Sequence, residues 1–192
     1  MEQNFKIEEQ LITNLQTAYA NAEVKLQRKE QVTLSIGKDE VAAVLLVAKN
    51  QLGYNYLTHI SCVDWIEDNQ FELVYILWSP NDKVNLFVRT RLDRNNPEME
   101  NTDMIWRQIN TYQREIREMY GVEFPGFVGD KEFILEDWED EPPMKRDFDT
   151  LKFVNETYFE REGREDAKDV REQIAKKSGE EIPDFAKKYS RQ

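Results

Sequence analysis

His59 is the chain's single histidine and Cys62 its single cysteine, so either Ser-His-Asp or Cys-His catalysis would have to run through His59. A triad also needs a positioned nucleophile and an orienting acid. The neighbours Leu57, Ile60 and Cys62 place His59 in a β-strand and predict a structural histidine. Cys62, between Ile60 and Val63, reads as a small buried hydrophobe. One cysteine excludes an internal disulfide, and one Cys with one His cannot supply a structural zinc or iron–sulfur ligand set. Neither G-x-G-x-x-G nor G-x-x-x-x-G-K-[ST] occurs, so no phosphate-cradling loop is predicted.

Carboxylates are the other candidate chemistry. Glu136-Asp137-Trp138-Glu139-Asp140-Glu141 invites a hard-metal reading, and as a calcium loop Asp137, Glu139 and Glu141 would fill the first three ligand positions. The glycine that such a loop requires is replaced by Pro142, so that reading fails. Paired carboxylates for acid–base work remain an alternative, but adjacent acids in a loop more often face solvent or a basic partner. Two mixed-charge blocks stand out besides: Gln113-Arg114-Glu115-Ile116-Arg117-Glu118-Met119-Tyr120-Gly121-Val122 and Pro142-Pro143-Met144-Lys145-Arg146-Asp147-Phe148.

These blocks need a scaffold, and the 192 residues suffice for one domain with an added element. Ile7, Leu11, Leu15 and Tyr19 recur every four positions and predict an amphipathic helix. Val24/Leu26 and Val32/Leu34/Ile36 alternate around Lys29-Glu30 as two short strands with a turn. A second helix follows Asp39 through Val41, Val44, Leu45 and Ala48, with Gly53 placed to close it in left-handed geometry. Tyr56–Trp65, Phe71–Trp78 and Val84–Arg91 are rich in β-branched and aromatic residues. With turn chemistry at Glu67-Asp68-Asn69 and Pro80-Asn81-Asp82, they predict a three-stranded antiparallel meander. Ile105, Ile109, Tyr112, Ile116 and Met119 fit one helix, or two broken near Asn110, ending at Gly121. Residues 122–148 carry Pro and Gly without periodicity, yet Phe124, Phe127, Phe133, Trp138 and Phe148 argue against disorder. That segment is expected to lie against something. The predicted fold is α+β: a mostly antiparallel sheet covered by helices over residues 1–149, then an irregular segment and an extended, partly helical tail over 150–192.

Only 8 of the 43 tail residues are Leu, Ile, Val or Phe, too few for a core of its own. A tail helix is expected over about Phe159–Lys177, with a narrow stripe of Ala167, Val170 and Ile174 to lay on a partner. The net charge of −12 disfavours nucleic acid and anionic lipid as partners. Seven acids against one lysine crowd Gly129–Glu141. The longest apolar run, Val41–Ala48, is far shorter than the ~20 residues of a membrane helix, and the mean hydropathy is −0.77. Met1-Glu2-Gln3-Asn4-Phe5-Lys6 lacks a secretory pattern and predicts a cytoplasmic chain.

The first charged block resembles the signature of the 30 kDa, C-type member of the respiratory complex I subunits: Glu-Arg-Glu, two variable positions, Asp, two apolar residues and Gly. Arg114, Glu115, Met119, Tyr120 and Gly121 match it, Gln113 replaces the first Glu, and Glu118 stands for Asp. Leu57, Asp64, Trp65, the strand Phe71–Trp78 and Met144-Lys145-Arg146-Asp147-Phe148 are similar in content and order, so the likeness spans about Gln51–Phe148. The family's Gly-His-Pro is missing between Phe127 and Leu135, and its second copy appears as Glu141-Pro142-Pro143. In this the chain looks more like the homologous component of energy-converting membrane-bound nickel–iron hydrogenases and sulfane reductases.

The resemblance implies a non-catalytic connecting subunit on the cytoplasmic side of the membrane, peripheral, in the arm of a complex I-like oxidoreductase. It implies a hetero-oligomer with a large hydrogenase-like catalytic subunit and an iron–sulfur subunit, touching the membrane arm only indirectly. No cofactor would bind this chain directly; iron–sulfur clusters and a nickel–iron site would belong to the partners. The expected partner-interface residues are Arg114, Glu115, Glu118, Trp138, Lys145, Arg146, Asp147, Phe148, Phe153 and Phe159. Two rivals are a free-standing acidic enzyme using Glu136–Glu141 with Lys145 or Arg146, and a soluble adaptor unrelated to electron transfer.

Overall fold

The structure, a computed structural model, describes residues 6–128 and 132–157. The chain divides into two units, 1–148 and 149–192. In the first, α1 (Lys6–Ala18) precedes a hairpin of β1 (Glu23–Arg28) and β2 (Gln31–Ser35). Then follow α2 (Val41–Asn50), β3 (Tyr56–Trp65), β4 (Gln70–Ser79), β5 (Val84–Asp93) and α3 (Ile109–Tyr120). The second unit opens with α4 (Thr150–Thr157).

The five strands form one sheet in the order β1-β2-β5-β4-β3. β3, β4 and β5 are the expected antiparallel meander, so β3 and β5 run the same way. Because α2 carries the chain back before β3 begins, β3 runs with β2, and β5 meets β2 in parallel, Val32 opposite Leu86 and Leu34 opposite Val88. The tight turns put Glu30, Asn69 and Lys83 at positive φ.

Strand alternation sorts the sheet into two faces. Val32 and Leu34, Leu57, Ile60 and Cys62, Phe71, Leu73, Tyr75 and Leu77, and Leu86, Val88 and Leu92 point to one face. They are buried in a single cluster with Leu11 and Leu15 of α1, Val41, Val44, Leu45 and Ala48 of α2, and Ile109 and Ile116 of α3. The helices therefore cover that face.

The region before α3 resolves the two readings left open by the sequence. Ile105 lies in a turn, its amide donating to Thr102 O (3.0 Å), and a single helix starts at Ile109. Gly121 ends it at φ +76°, and a Cβ there would meet Pro142 Cγ at 3.1 Å, so both backbone conformation and close approach call for glycine. Residues 122–148 contain no helix or strand among those described, as the lack of periodicity predicts. α4 was not expected. Asp149 starts it, its Oδ1 accepting from the Lys152 amide (3.0 Å) and its carbonyl from Phe153 (3.0 Å), an N-cap that the Asp149-Thr150 pair announces. The tail helix expected over Phe159–Lys177 lies outside the described residues.

Candidate functional site

The irregular segment is fastened to its own domain at three places. Arg114 and Glu118 sit four apart on one flank of α3, a spacing that stacks their side chains. The Glu118 carboxylate accepts the backbone amides of Phe133 (2.5 Å), Ile134 (2.8 Å) and Leu135 (3.0 Å). Arg114 Nη2 donates to the Glu132 carbonyl at 2.6 Å, and the guanidinium lies 5.9 Å from the Phe133 ring centroid. Within this chain Arg114 thus takes a carbonyl and an aromatic face rather than the bidentate carboxylate that its geometry suits. At the second place, past the tight approach of Gly121 and Pro142, the Met144 amide donates to the Met119 carbonyl (3.0 Å) at the helix's open end.

The third fastening is a charge network on the sheet edge. Asp64 faces inward from β3, its side chain 1% exposed, and accepts Arg94 Nε at 2.9 Å, Arg94 Nη2 at 3.0 Å and the Arg146 amide at 2.9 Å. Arg94 Nη2 also reaches Asp147 at 2.5 Å, and its guanidinium stands 5.6 Å from the Phe71 ring. Arg146 grips Glu67 through both carboxylate oxygens, at 2.8 and 2.6 Å. Hydrogen bonding to Arg94 holds the Asp147 carboxyl below its ordinary value, and Arg146 does the same for Glu67. Two carboxylates in turn push the Arg94 guanidinium up. Such charge-assisted, forked bonds are the strong kind.

Of the expected interface residues, Arg114, Glu118, Arg146 and Asp147 meet on this seam. Glu115 and Lys145 are half-buried beside it. The Trp138 indole donates to the Glu141 carbonyl (3.0 Å) and lies 5.9 Å from the Phe148 ring. Trp138 borders a cavity of about 420 Å³ with Arg114, Arg117, Phe127, Leu135 and Pro142. Phe153 is half-buried on α4 in the second unit, and Phe159 lies outside the described residues. Asp64, Arg94 and Glu67 were not among the expected residues. A signal for Asp64 existed: it shares strand parity with Ile60 and Cys62, and an inward acid requires a cation.

The remaining chemistry-bearing residues stay apart. Glu136, Asp137, Glu139, Asp140 and Glu141 are all exposed, and none lines the cavity beside Trp138. His59 is exposed on β3 with its ring edge-on to Tyr112, centroids 5.0 Å apart. Cys62 is buried, and its burial beside the Asp64 charge pushes the thiol pKa well up. Among the described residues no group of three His, Cys, Asp or Glu side chains is placed to hold a metal. No described helix is long and apolar enough to cross a membrane.

Residues 34–154 match the family profile described as "Respiratory-chain NADH dehydrogenase, 30 Kd subunit". The C-type subunit of NADH-quinone oxidoreductase from Moorella thermoacetica is 30% identical over 137 residues, 71% of this chain and 92% of its own. The C-type subunit of F(420)H(2) dehydrogenase from Methanosarcina mazei is 28% identical over 131 residues, 68% and 83% of the two chains. Among solved structures, a chain of the membrane-bound sulfane sulfur reductase, an archaeal respiratory membrane complex, superposes with a TM-score of 0.68. At 24% identity, over 82% of this chain and 98% of that one, the superposition establishes a common fold.

Proposed function

The chain belongs to the respiratory-chain NADH dehydrogenase 30 kDa subunit family, and from that premise we propose that it is the non-catalytic connecting subunit of the peripheral arm of a complex I-like membrane oxidoreductase. It braces a large hydrogenase-like catalytic subunit, with an iron–sulfur subunit adjacent, on the cytoplasmic side of the membrane. Iron–sulfur clusters, and a nickel–iron site in a hydrogenase-type assembly, reside in those partners. The relatives' names, NADH-quinone oxidoreductase and F(420)H(2) dehydrogenase, differ in electron donor while the C-type subunit recurs. That pattern suits a brace better than a donor-specific site.

One observation carries the reading. Residues 132–148 have no regular secondary structure, yet Glu118, Arg114, Asp64 and Arg94 hold them in place by charge-assisted bonds while Ile134 and Met144 stand more than half exposed. Fixing an irregular backbone costs about 1–2 kcal/mol per residue. A clamped segment that presents apolar side chains to water is a surface prepared for a partner. On this reading Arg114, Glu118, Arg146 and Asp147 shape the surface from behind, while Trp138, Lys145 and Phe148 with Glu115 border the partner. Phe153 and Phe159 act in a tail, 150–192, that wraps it.

Affinity purification of the tagged chain from solubilised native membranes tests this. The expected result is recovery with iron–sulfur proteins and membrane-embedded subunits, and poor recovery of a chain truncated after Asp149. Recovery alone, or with soluble proteins only, would favour the adaptor or enzyme readings.

A further inference from the structure

Apart from Tyr112 of α3 against His59 at the β3 edge, the sheet's second face carries no helix of the described residues, and it is not uniformly polar. Register places Val63, Ser61 and His59 on β3 beside Glu72, Val74 and Ile76 on β4, with Arg91, Arg89 and Phe87 next on β5. Trp78 and Tyr56 extend the patch at one end, their rings 5.7 Å apart. Tyr56 is 57% exposed and Trp78, Val63 and Trp65 about 36–38%. Ile76 and Phe87 are half-buried and Val74 beside them is buried at 8% exposure, and none of the three belongs to the cluster under the helices. An antiparallel sheet with one solvated face ordinarily alternates apolar inward and polar outward. Here the centre of the outward face is apolar, and its rim holds Ser35, Gln31, Asn85 and Gln70. An apolar patch rimmed by polar groups marks an interaction site.

Charge says what should cover it. Arg89 lies between Val74 and Ser35 in the register, half-buried, with its Nε inaccessible to solvent and without a hydrogen-bond partner. The face's other cations are engaged: Arg91 pairs with Asp68 at 2.8 Å and stacks 5.0 Å from the Trp65 ring, and Lys25 pairs with Glu23. The two acids that border the same cavity are engaged as well, Glu23 with Lys25, and Glu72 accepting the Trp65 indole at 3.1 Å and facing Arg91 at 3.9 Å. Arg89, Ser35, Gly37, Glu72 and Arg91 border a cavity of about 420 Å³. In a protein of net charge −12, a half-buried guanidinium left unpaired beside an apolar patch is matched by a carboxylate on an apolar surface.

We propose that this open face docks a segment of another protein subunit, whose Asp or Glu carboxylate pairs with Arg89 and whose apolar side chains cover Val74, Ile76 and Phe87. The proposal rests on the assembly reading above and adds a second contact surface to the clamped segment. A second copy of this chain fits poorly, because two bodies of −12 each repel. A polyphosphate or an anionic lipid surface fits poorly too, since either needs several free cations and Arg89 is a single one on a chain of net charge −12.

The test places a photo-crosslinking p-benzoylphenylalanine at Tyr56 in the tagged full-length chain within its native complex. The expected adduct joins Tyr56 to a segment of a different subunit that contains an Asp or Glu. Arg89→Glu should lower recovery of the complex about tenfold or more, Arg89→Lys less, and reversing the mapped acid to Arg should restore recovery with Arg89→Glu. Melting of the free Arg89→Glu chain checks its fold; should that variant unfold, the adduct and Arg89→Lys decide. An adduct to a second copy, to this chain itself or to lipid, no adduct in an intact complex, or full recovery of folded Arg89→Glu overturns the docking face while leaving the assembly reading intact. Wild-type chain recovered alone overturns both.

Discussion

Removing the Asp64 carboxylate should be the most damaging single change on the seam. Its side chain is 1% exposed and takes three bonds, two from Arg94 and one from the Arg146 amide. Breaking a buried pair from one side costs about 3–5 kcal/mol, chiefly because the other charge is left uncompensated. Arg94 would keep Asp147 at 2.5 Å and is itself 13% exposed, which moves the expected cost to the lower end, about 3 kcal/mol for Asp64→Ala. Asp64→Asn should cost nearly as much, since the amide retains one acceptor oxygen but turns an NH2 toward a guanidinium. For a unit of this size 1 kcal/mol corresponds to about 2–4 °C, so calorimetry of the full-length chain should show melting about 6–12 °C lower. Glu67→Gln, which removes the exposed half of the same network, is the control and should leave the melt unchanged within error, because exposed ion pairs are screened. Equal effects of Asp64→Ala and Glu67→Gln, or an Asp64→Asn melt within about 1 °C of wild type, would refute the argument that burial gives this network its strength.

Three further outcomes follow from the same geometry. Glu118→Gln keeps one acceptor oxygen for three backbone amides, so about 2 kcal/mol of local stability should be lost and exchange at Phe133–Leu135 should speed up about 30-fold; unchanged protection there would refute the clamp. Arg94 depresses the Asp147 carboxyl, and a depressed acid contributes stability above its unfolded value, near 3.8, that is lost as pH falls through the lower folded value. Amide protection at Arg146–Phe148 should therefore be flat from pH 7 to 5 and fall only below about 4, and release between 7 and 5 would contradict it. Cys62, buried and with its thiol pKa pushed up, should resist iodoacetamide at pH 8 in the native chain and react at once in denaturant; rapid native labelling would show that β3 opens.

The strands were legible because β-branched and aromatic runs are bounded by Glu67-Asp68-Asn69 and Pro80-Asn81-Asp82, chemistry that acts over a few residues. The same local reading could not pair β2 with β5, since periodicity fixes which face a residue takes but not which strand lies beside it. α3 was half legible. Ile109 and Ile116 define its buried stripe, but Gln113, fully buried between them, carries no apolar signal. α4 carries little apolar periodicity, and its sequence signal is the Asp149 cap, which accepts the Lys152 amide.

The seam shows the limit most clearly. Five aromatic residues in 122–148 predict that the segment lies against something, and it does. What holds it is the chain's own α3 and β3 edge, through partners 15 to 17 residues apart at Glu118 and 30, 53 and 82 apart around Asp64 and Arg94. Charged residues in a signature block invite assignment to a partner, yet a guanidinium or carboxylate already holding two or three bonds inside the fold has little left to offer outside it. The useful division is therefore by what is left over. Glu118, Asp64 and Arg94 are committed to the chain itself, whereas Ile134, Met144, the Tyr56–Trp78 pair and the unpaired Arg89 are not. The family likeness names the kind of assembly, and this uncommitted set indicates which faces of the protein the assembly should use.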